Sequence, residues 1–142
     1  MQLSDSRLFR AQGYIDGAWS DADSRATFGV VNPATGARLG AVPKMGGPET
    51  KRAIAAAAKA GPAWAKRTAK DRAGILRKWY DLILANKEDL ARLMTAEQGK
   101  PLAESLGEVV YGASFVEWFA EEGKRIYGDT IPAQAPDKRL LV

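Results

Sequence analysis

The stretch of residues 97–128 constrains the fold of this chain more than any other. It begins with the sequence E-Q-G-K-P, in which Gly99 suits the left-handed residue just after a helix and Pro101 suits the first turn of the next helix. The spacing of apolar residues that follows predicts a long helix over residues 102–126. The pentapeptide is therefore expected to be a corner between two helices.

Two neighbouring stripes of this long helix are apolar. The first stripe consists of Leu102, Leu106, Val109, Val110, Ala113, Val116 and Ala120, and the second of Tyr111, Phe115, Trp118 and Phe119. Apolar residues over so much of the circumference indicate a helix that is covered on most sides. A chain of 142 residues can hardly supply that cover by itself, so we expect the helix to require more polypeptide.

Turn chemistry near the N-terminus predicts two small β-hairpins. Asp16-Gly17 lies between short apolar runs, and this dipeptide suits a tight turn because both central residues need positive φ. The sequence N-P-A-T-G at 32–36 supplies a second turn, between expected strands at 27–31 and 37–42. We expect the four strands to form one small antiparallel unit.

After the second hairpin, apolar residues recur every three or four positions, as in a helix, instead of at every second position, as in a strand. The expected helix starts are Pro48, Thr68 and Asn86, and the expected stops are Gly61-Pro62 and Gly99, with a single turn at 63–66. Together with the long helix, this pattern predicts four to five helices. The chain is therefore expected to be α+β, with two small hairpins followed by helices.

Composition excludes several kinds of site. The chain has no cysteine and no histidine, so it carries no thiol nucleophile, no thiolate or imidazole metal site and no imidazole base. The net charge is +4, but 21 basic residues are interleaved with 17 acidic ones, which argues against a nucleic-acid surface. The charged N-terminus and the lack of a long apolar run indicate a cytoplasmic protein with no membrane segment.

Glycine motifs for phosphate binding fail on inspection. Gly107 and Gly112 have the spacing of a phosphate loop, but Ala113 stands where the lysine is needed and no strand precedes the motif. No G-x-G-x-x-G occurs, so we assign no cofactor-binding residue. The sequence also offers no catalytic residue.

Three motifs in register carry a family resemblance. They are N-P-A-T-G at 32–36, E-Q-G-K-P at 97–101 and E-W-F-A-E-E-G-K-R-I-Y-G-D-T-I-P at 117–132. Together they resemble the N-terminal part of the aldehyde dehydrogenase superfamily, and most closely its NAD(P)-dependent succinate-semialdehyde dehydrogenases. The resemblance extends from Leu8 to Val142. Each motif alone is weak, but three in the expected order are specific.

The resemblance implies the N-terminal portion of an α/β aldehyde dehydrogenase fold. Residues 1–12 would be an arm, residues 13–137 part of the cofactor-binding domain, with hairpins at 13–42 and helices at 48–127, and residues 138–142 the first, truncated strand of an oligomerisation sheet. The complete enzyme would be a homo-oligomer that oxidises a small aldehyde with NADP or NAD through a cysteine nucleophile. This chain stops before the catalytic segment, so we expect it to be inactive alone.

Four residues match functional positions of that family, and two more could extend one of its sites. Val31, through its backbone carbonyl, and Glu97 match ligands of a monovalent cation, for which oxygen donors are suitable. Glu108 and Tyr111 match positions that line the aldehyde entrance tunnel, and Phe115 and Trp118 lie where they could continue that wall. The simpler interpretations are a turn residue, a helix-end acid and ordinary core packing.

A different class of function remains open from sequence alone. The chain could be a stand-alone helical module for protein interaction, without catalysis. Since the long helix is apolar on more than one face and the terminal strand is expected to be unpaired, the isolated chain should associate or expose an apolar patch.

Overall fold

The computed structural model describes residues 1–141. A 3-10 turn, Ser6–Leu8, precedes four strands and four helices; in chain order these are β1 (Gly13–Ile15), β2 (Ala18–Ser20), β3 (Thr27–Val31), β4 (Arg38–Pro43), α1 (Gly47–Ala65), α2 (Ala69–Ala85), α3 (Lys87–Gln98) and α4 (Leu102–Glu122). Two short strands follow, β5 (Thr130–Ile131) and β6 (Leu140–Leu141). The expected order of two hairpins followed by helices is confirmed.

The two N-terminal hairpins form separate sheets. β1 pairs with β2 across Asp16 and Gly17, which have φ of 49° and 82°, and β3 pairs with β4. The expectation of one four-stranded unit is wrong. The segment between β2 and β3 is bound to α1 instead, because the backbone N–H of Asp23 donates to the Glu49 carboxylate at 2.8 Å and Arg52 pairs with the Asp23 side chain at 2.7 Å.

Helix α1 continues through the predicted stop at Gly61-Pro62. Pro62 lies inside the helix, and the expected separate turn at 63–66 is largely its last turn. A proline lacks an N–H donor and its ring crowds the carbonyl four residues earlier, but its own carbonyl still accepts from the backbone N–H of Lys66 at 3.2 Å. The loss of one hydrogen bond near the end of a helix was not enough to end it.

Of the predicted helix ends that follow, those at Thr68 and Gly99 are confirmed and the one at Asn86 is wrong. The Thr68 hydroxyl accepts from the backbone N–H of Asp71 at 3.1 Å, and Gly99 is left-handed with φ of 77°, as expected. Asn86 does not cap α3, because its side-chain amide donates to the carbonyl of Leu82 in the preceding helix at 2.8 Å.

Helix α4 packs against both α2 and α3 through small side chains. Its buried positions are Ser105, Val109, Ala113 and Ala120, and the buried apolar positions of the two partner helices are Ala91 and Ala96 in α3 and Ala73 in α2. The hydroxyls of Thr95 and Ser105 are hydrogen-bonded at 2.8 Å between α3 and α4, so the buried polar atom at this interface is satisfied.

The opposite surface of α4 is exposed, which confirms the expectation of an uncovered apolar helix. Tyr111 is 65% exposed, Trp118 62%, Phe119 59% and Phe115 47%. The helix ends at Glu122 rather than at residue 126. Beyond it, Ile126 and Tyr127 are each 82% exposed.

The C-terminal segment pairs within the chain. The backbones of Leu140 and Leu141 pair antiparallel with Ile131 and Thr130. The expectation that the terminal strand has no partner is therefore wrong, while Val142 of the expected strand 138–142 lies outside the described residues. Within residues 1–141, no helix combines the length and apolarity that crossing a membrane requires.

The N-terminal arm is held on α3 by one buried carboxylate. Asp89, 4% exposed, accepts hydrogen bonds from the backbone N–H groups of Ser4 at 3.0 Å and Asp5 at 2.8 Å. These two donors, and then Arg92 at 3.0 Å, hold the pKa of the Asp89 carboxyl below its usual range. The bonds link segments more than 80 residues apart, so the arm depends on the ionised carboxylate.

We predict that Asp89→Asn loosens the arm, because one N–H of the arm would then face an amide N–H instead of an oxygen. The depressed pKa means that the carboxylate stabilises the fold above the ordinary aspartate pKa of about 3.9, and that this contribution is lost as the pH falls through the lower folded-state pKa. Urea unfolding followed by circular dichroism should show a lower midpoint for the variant at pH 7, and the difference should shrink below about pH 4.

Glu88→Gln is the matched control, since Glu88 is an exposed acid in the same first turn of α3. An equal loss of stability in both variants would contradict the role of Asp89 as the anchor of the arm.

Candidate functional site

The four residues expected to line a tunnel share one side of α4. Glu108, Tyr111, Phe115 and Trp118 are spaced by three, four and three residues, which places them one above another on a helix. At about 100° per residue they lie roughly 180° to 260° around the axis from the buried Val109. The packing of small residues on α2 and α3 therefore directs this side of α4 away from the core.

The aromatic members of this wall contact one another only in part. Tyr111 and Phe115 stack edge to face, with ring centroids 4.8 Å apart and an interplanar angle of 81°. Phe115 and Trp118 line an open groove of about 660 Å³ together with Phe119. Glu108 and Tyr111 do not line that groove, so the four predicted residues share a face but not one cavity.

Acidic residues border the apolar face, and cations neutralise them. Glu117 pairs with Arg77 of α2 at 2.8 Å and Glu121 pairs with Lys124 at 2.6 Å. The Lys124 ammonium lowers the pKa of the Glu121 carboxyl. A similar pair joins Glu122 to Arg125, whose side chains also line the groove. The rim of the groove therefore carries little net charge.

Lys100 is a residue that the sequence analysis did not assign to the site. Its ammonium donates to the Glu108 carboxylate across the corner between α3 and α4. The two residues are eight apart, and Lys100 lies in the corner rather than in a helix, so helical periodicity gives no signal for the pair. Glu108 is the only one of the four expected wall residues that carries a formal charge, and this contact neutralises it.

Glu97 and Val31, the expected cation ligands, belong to the two segments that meet at the N-P-A-T-G turn. Glu97 and Val30 line the same pocket of about 140 Å³, and Val31 follows Val30 at an irregularity in the β3–β4 ladder. Within the described part of the chain no three acidic residues cluster as metal ligands. An ion here would therefore depend on backbone carbonyl oxygens in addition to Glu97.

Gly99 holds the corner against this turn. A Cβ on Gly99 would lie 2.9 Å from Cγ of Pro33 and 3.4 Å from the backbone nitrogen of Ala34. Two of the three motifs singled out in the sequence are therefore in close contact, although 65 residues separate their first positions, 32 and 97.

Comparison with known proteins defines the class. The aldehyde dehydrogenase family model matches residues 19–142. The chain therefore belongs to the aldehyde dehydrogenase family, and its hairpins and helices are the N-terminal elements of that fold.

Individual proteins of this family are similar to the chain over almost its whole length. The chain is 65% identical over 142 residues to glutarate-semialdehyde dehydrogenase of Pseudomonas aeruginosa, covering 100% of this chain and 29% of the relative. It is 61% identical to NADP(+)-dependent succinate-semialdehyde dehydrogenase of Escherichia coli, covering 100% of this chain and 30% of that enzyme. A crystal structure of an Escherichia coli NADP-dependent enzyme matches with a TM-score of 0.96 and 61% identity, over 99% of this chain and 29% of that one. The chain thus spans less than a third of the length of these relatives.

We predict that Gly99→Ala destabilises the contact between the corner and the turn. The alanine would need a left-handed φ and would also meet Pro33, which together should cost about 1–3 kcal/mol. Gly107→Ala is the control, because a Cβ there meets nothing within 4 Å and the residue lies within α4. That variant should gain about 0.5–1 kcal/mol.

Urea unfolding of both variants measures the difference. Gly99→Ala with wild-type stability would show that the corner does not need its left-handed, close-packed glycine.

Proposed function

We propose that this chain is the N-terminal part of a longer dehydrogenase that oxidises succinate semialdehyde to succinate with NADP or NAD. The observation that carries the proposal is the 61% identity, over the whole chain, to the Escherichia coli enzyme named for that substrate and for NADP. The Pseudomonas aeruginosa relative, named for glutarate semialdehyde, supports the homologous aldehyde as a second substrate. Both aldehydes end in a carboxylate.

The role proposed for this chain is structural support and one wall of the aldehyde tunnel. Tyr111, Phe115 and Trp118 present exposed apolar surface on one side of α4, and such a surface favours cover by other polypeptide. Glu108 continues the same side toward the corner. Nicotinamide cofactor, nucleophile and general base would be held by the remainder of the enzyme, since we assign no residue of this chain to them.

Assembly and location are further parts of the proposal. The segment 138–142 would begin a sheet through which copies of the enzyme associate, and the enzyme would be cytoplasmic. Family membership disfavours the alternative of a stand-alone interaction module, because the matched relatives are named as enzymes.

A monovalent cation is proposed at the contact between the turn and the corner. The Glu97 carboxylate and the Val31 carbonyl are oxygen donors, which suit a hard ion. The close packing of Gly99 on Pro33 supports the proposal, since it brings these two segments together.

We predict that this chain can replace the N-terminal segment of the Escherichia coli relative. The chimera should reduce NADP when succinate semialdehyde is added, because the fold matches with a TM-score of 0.96 and the interfaces of the segment should be kept. Absorbance at 340 nm measures the reaction. Residues 1–142 alone should give no reduction above a no-protein control.

Size-exclusion chromatography and thermal melting establish whether the chimera has assembled. An assembled chimera that oxidises no aldehyde would overturn the proposed function, as would turnover by residues 1–142 alone.

The cation proposal predicts that potassium or sodium raises the melting temperature of the chimera relative to tetramethylammonium at the same ionic strength. Binding to the folded state contributes about 1.4 kcal/mol when the ion is present at ~10 times its Kd. Glu97→Gln should remove most of this difference.

Glu88→Gln, on the same helix, should retain it and serves as the control. If neither ion has an effect beyond tetramethylammonium, there is no such site.

A further inference from the structure

We propose that Lys100 determines selectivity for anionic aldehydes by neutralising Glu108 on the tunnel wall. This inference rests on the proposed function and deepens it, since it assigns a specificity-determining residue for the proposed substrate. Lys100 would contact Glu108 rather than the reacting aldehyde, so its effect is electrostatic.

The geometry of the pair indicates a fixed charge rather than a mobile one. The Lys100 side chain is only 19% exposed, although lysine ordinarily extends into solvent, and its ammonium is bound to the Glu108 carboxylate. The Glu108 side chain is 50% exposed. The lysine is therefore the more buried partner and the carboxylate the more exposed one, so an approaching substrate would meet the acid.

An unpaired carboxylate at this position would oppose the proposed substrate. Glu108 shares its side of α4 with Tyr111 and Phe115, and apolar neighbours screen a charge poorly once water is excluded. Two negative groups within about 10 Å repel each other appreciably at physiological ionic strength. The positive charge of the Lys100 ammonium offsets the negative charge of the Glu108 carboxylate that it contacts.

The groove farther along α4 shows further pairs of this kind. The acids that line the groove, Glu117, Glu121 and Glu122, are each paired with a cation. Charge compensation therefore recurs around the groove, which suits a wall passed by an anion.

The test uses the active chimera and two aldehydes of four carbons, succinate semialdehyde and neutral butanal. In Lys100→Met, kcat/KM for succinate semialdehyde should fall by roughly three- to ten-fold at low ionic strength, while that for butanal should change by less than about two-fold. Salt at 0.5 M should reduce the loss, since screening weakens the uncompensated field of Glu108.

Two further variants separate the electrostatic role from a structural one. Glu108→Gln leaves Lys100 as an uncompensated cation, so kcat/KM for the anionic aldehyde should rise and that for butanal should not. The double variant should recover the wild-type ratio between the two aldehydes. Lys59→Met removes an exposed lysine on α1 and serves as the charge control.

An equal loss for both aldehydes in Lys100→Met, no loss for either, or a double variant that keeps the altered ratio would each overturn the inference. If the unmodified chimera oxidises neither aldehyde, the proposed function fails instead. The two failures are therefore distinguishable.

Discussion

The contact of α4 with α2 and α3 through small side chains is the constraint on which the rest of the structure depends. Ser105, Ala113 and Ala120 are almost completely buried, at 0 to 1% exposure, and none of them could be enlarged without separating the helices. Since the bulky residues of α4 cannot fit there, they lie on the opposite side. The positions of Tyr111 and Trp118 therefore follow from the small residues behind them.

Structural features that depend on a single residue could be predicted from the sequence. Gly99 and the Asp16-Gly17 turn need a positive φ, and Thr68 caps with its own hydroxyl, so these predictions were confirmed. Predictions failed where the outcome depends on contacts between two elements of the chain. The side chain of Asn86 is used by the preceding helix, and the strand pairing of Leu140 depends on Ile131, which spacing alone does not select.

In the candidate site too, patterns within one helix could be predicted, whereas contacts between elements could not. Spacing by three and four residues predicted that Tyr111, Phe115 and Trp118 share one side of α4, and the family resemblance added Glu108. It could not find Lys100 or Arg77, because each reaches its acid from another helix or from a corner, at separations of 8 and 40 residues. Ion pairs between elements depend on how helices are oriented, and a periodic pattern within one helix carries no information about that.

Exposed aromatics on α4 connect stability with function in the proposed enzyme. Burial of apolar surface contributes roughly 25 cal/mol per Å², so the polypeptide that covers this face would gain free energy from the same side chains that we propose as the tunnel wall. Where a substrate passage runs along this face, the apolar side chains must stay partly uncovered, so part of that free energy is not gained. Neutralised acids at the rim limit the further cost, because paired charges tolerate removal from water better than single ones. The wall can therefore be both an interface and a route for an anion only while its carboxylates keep their cations.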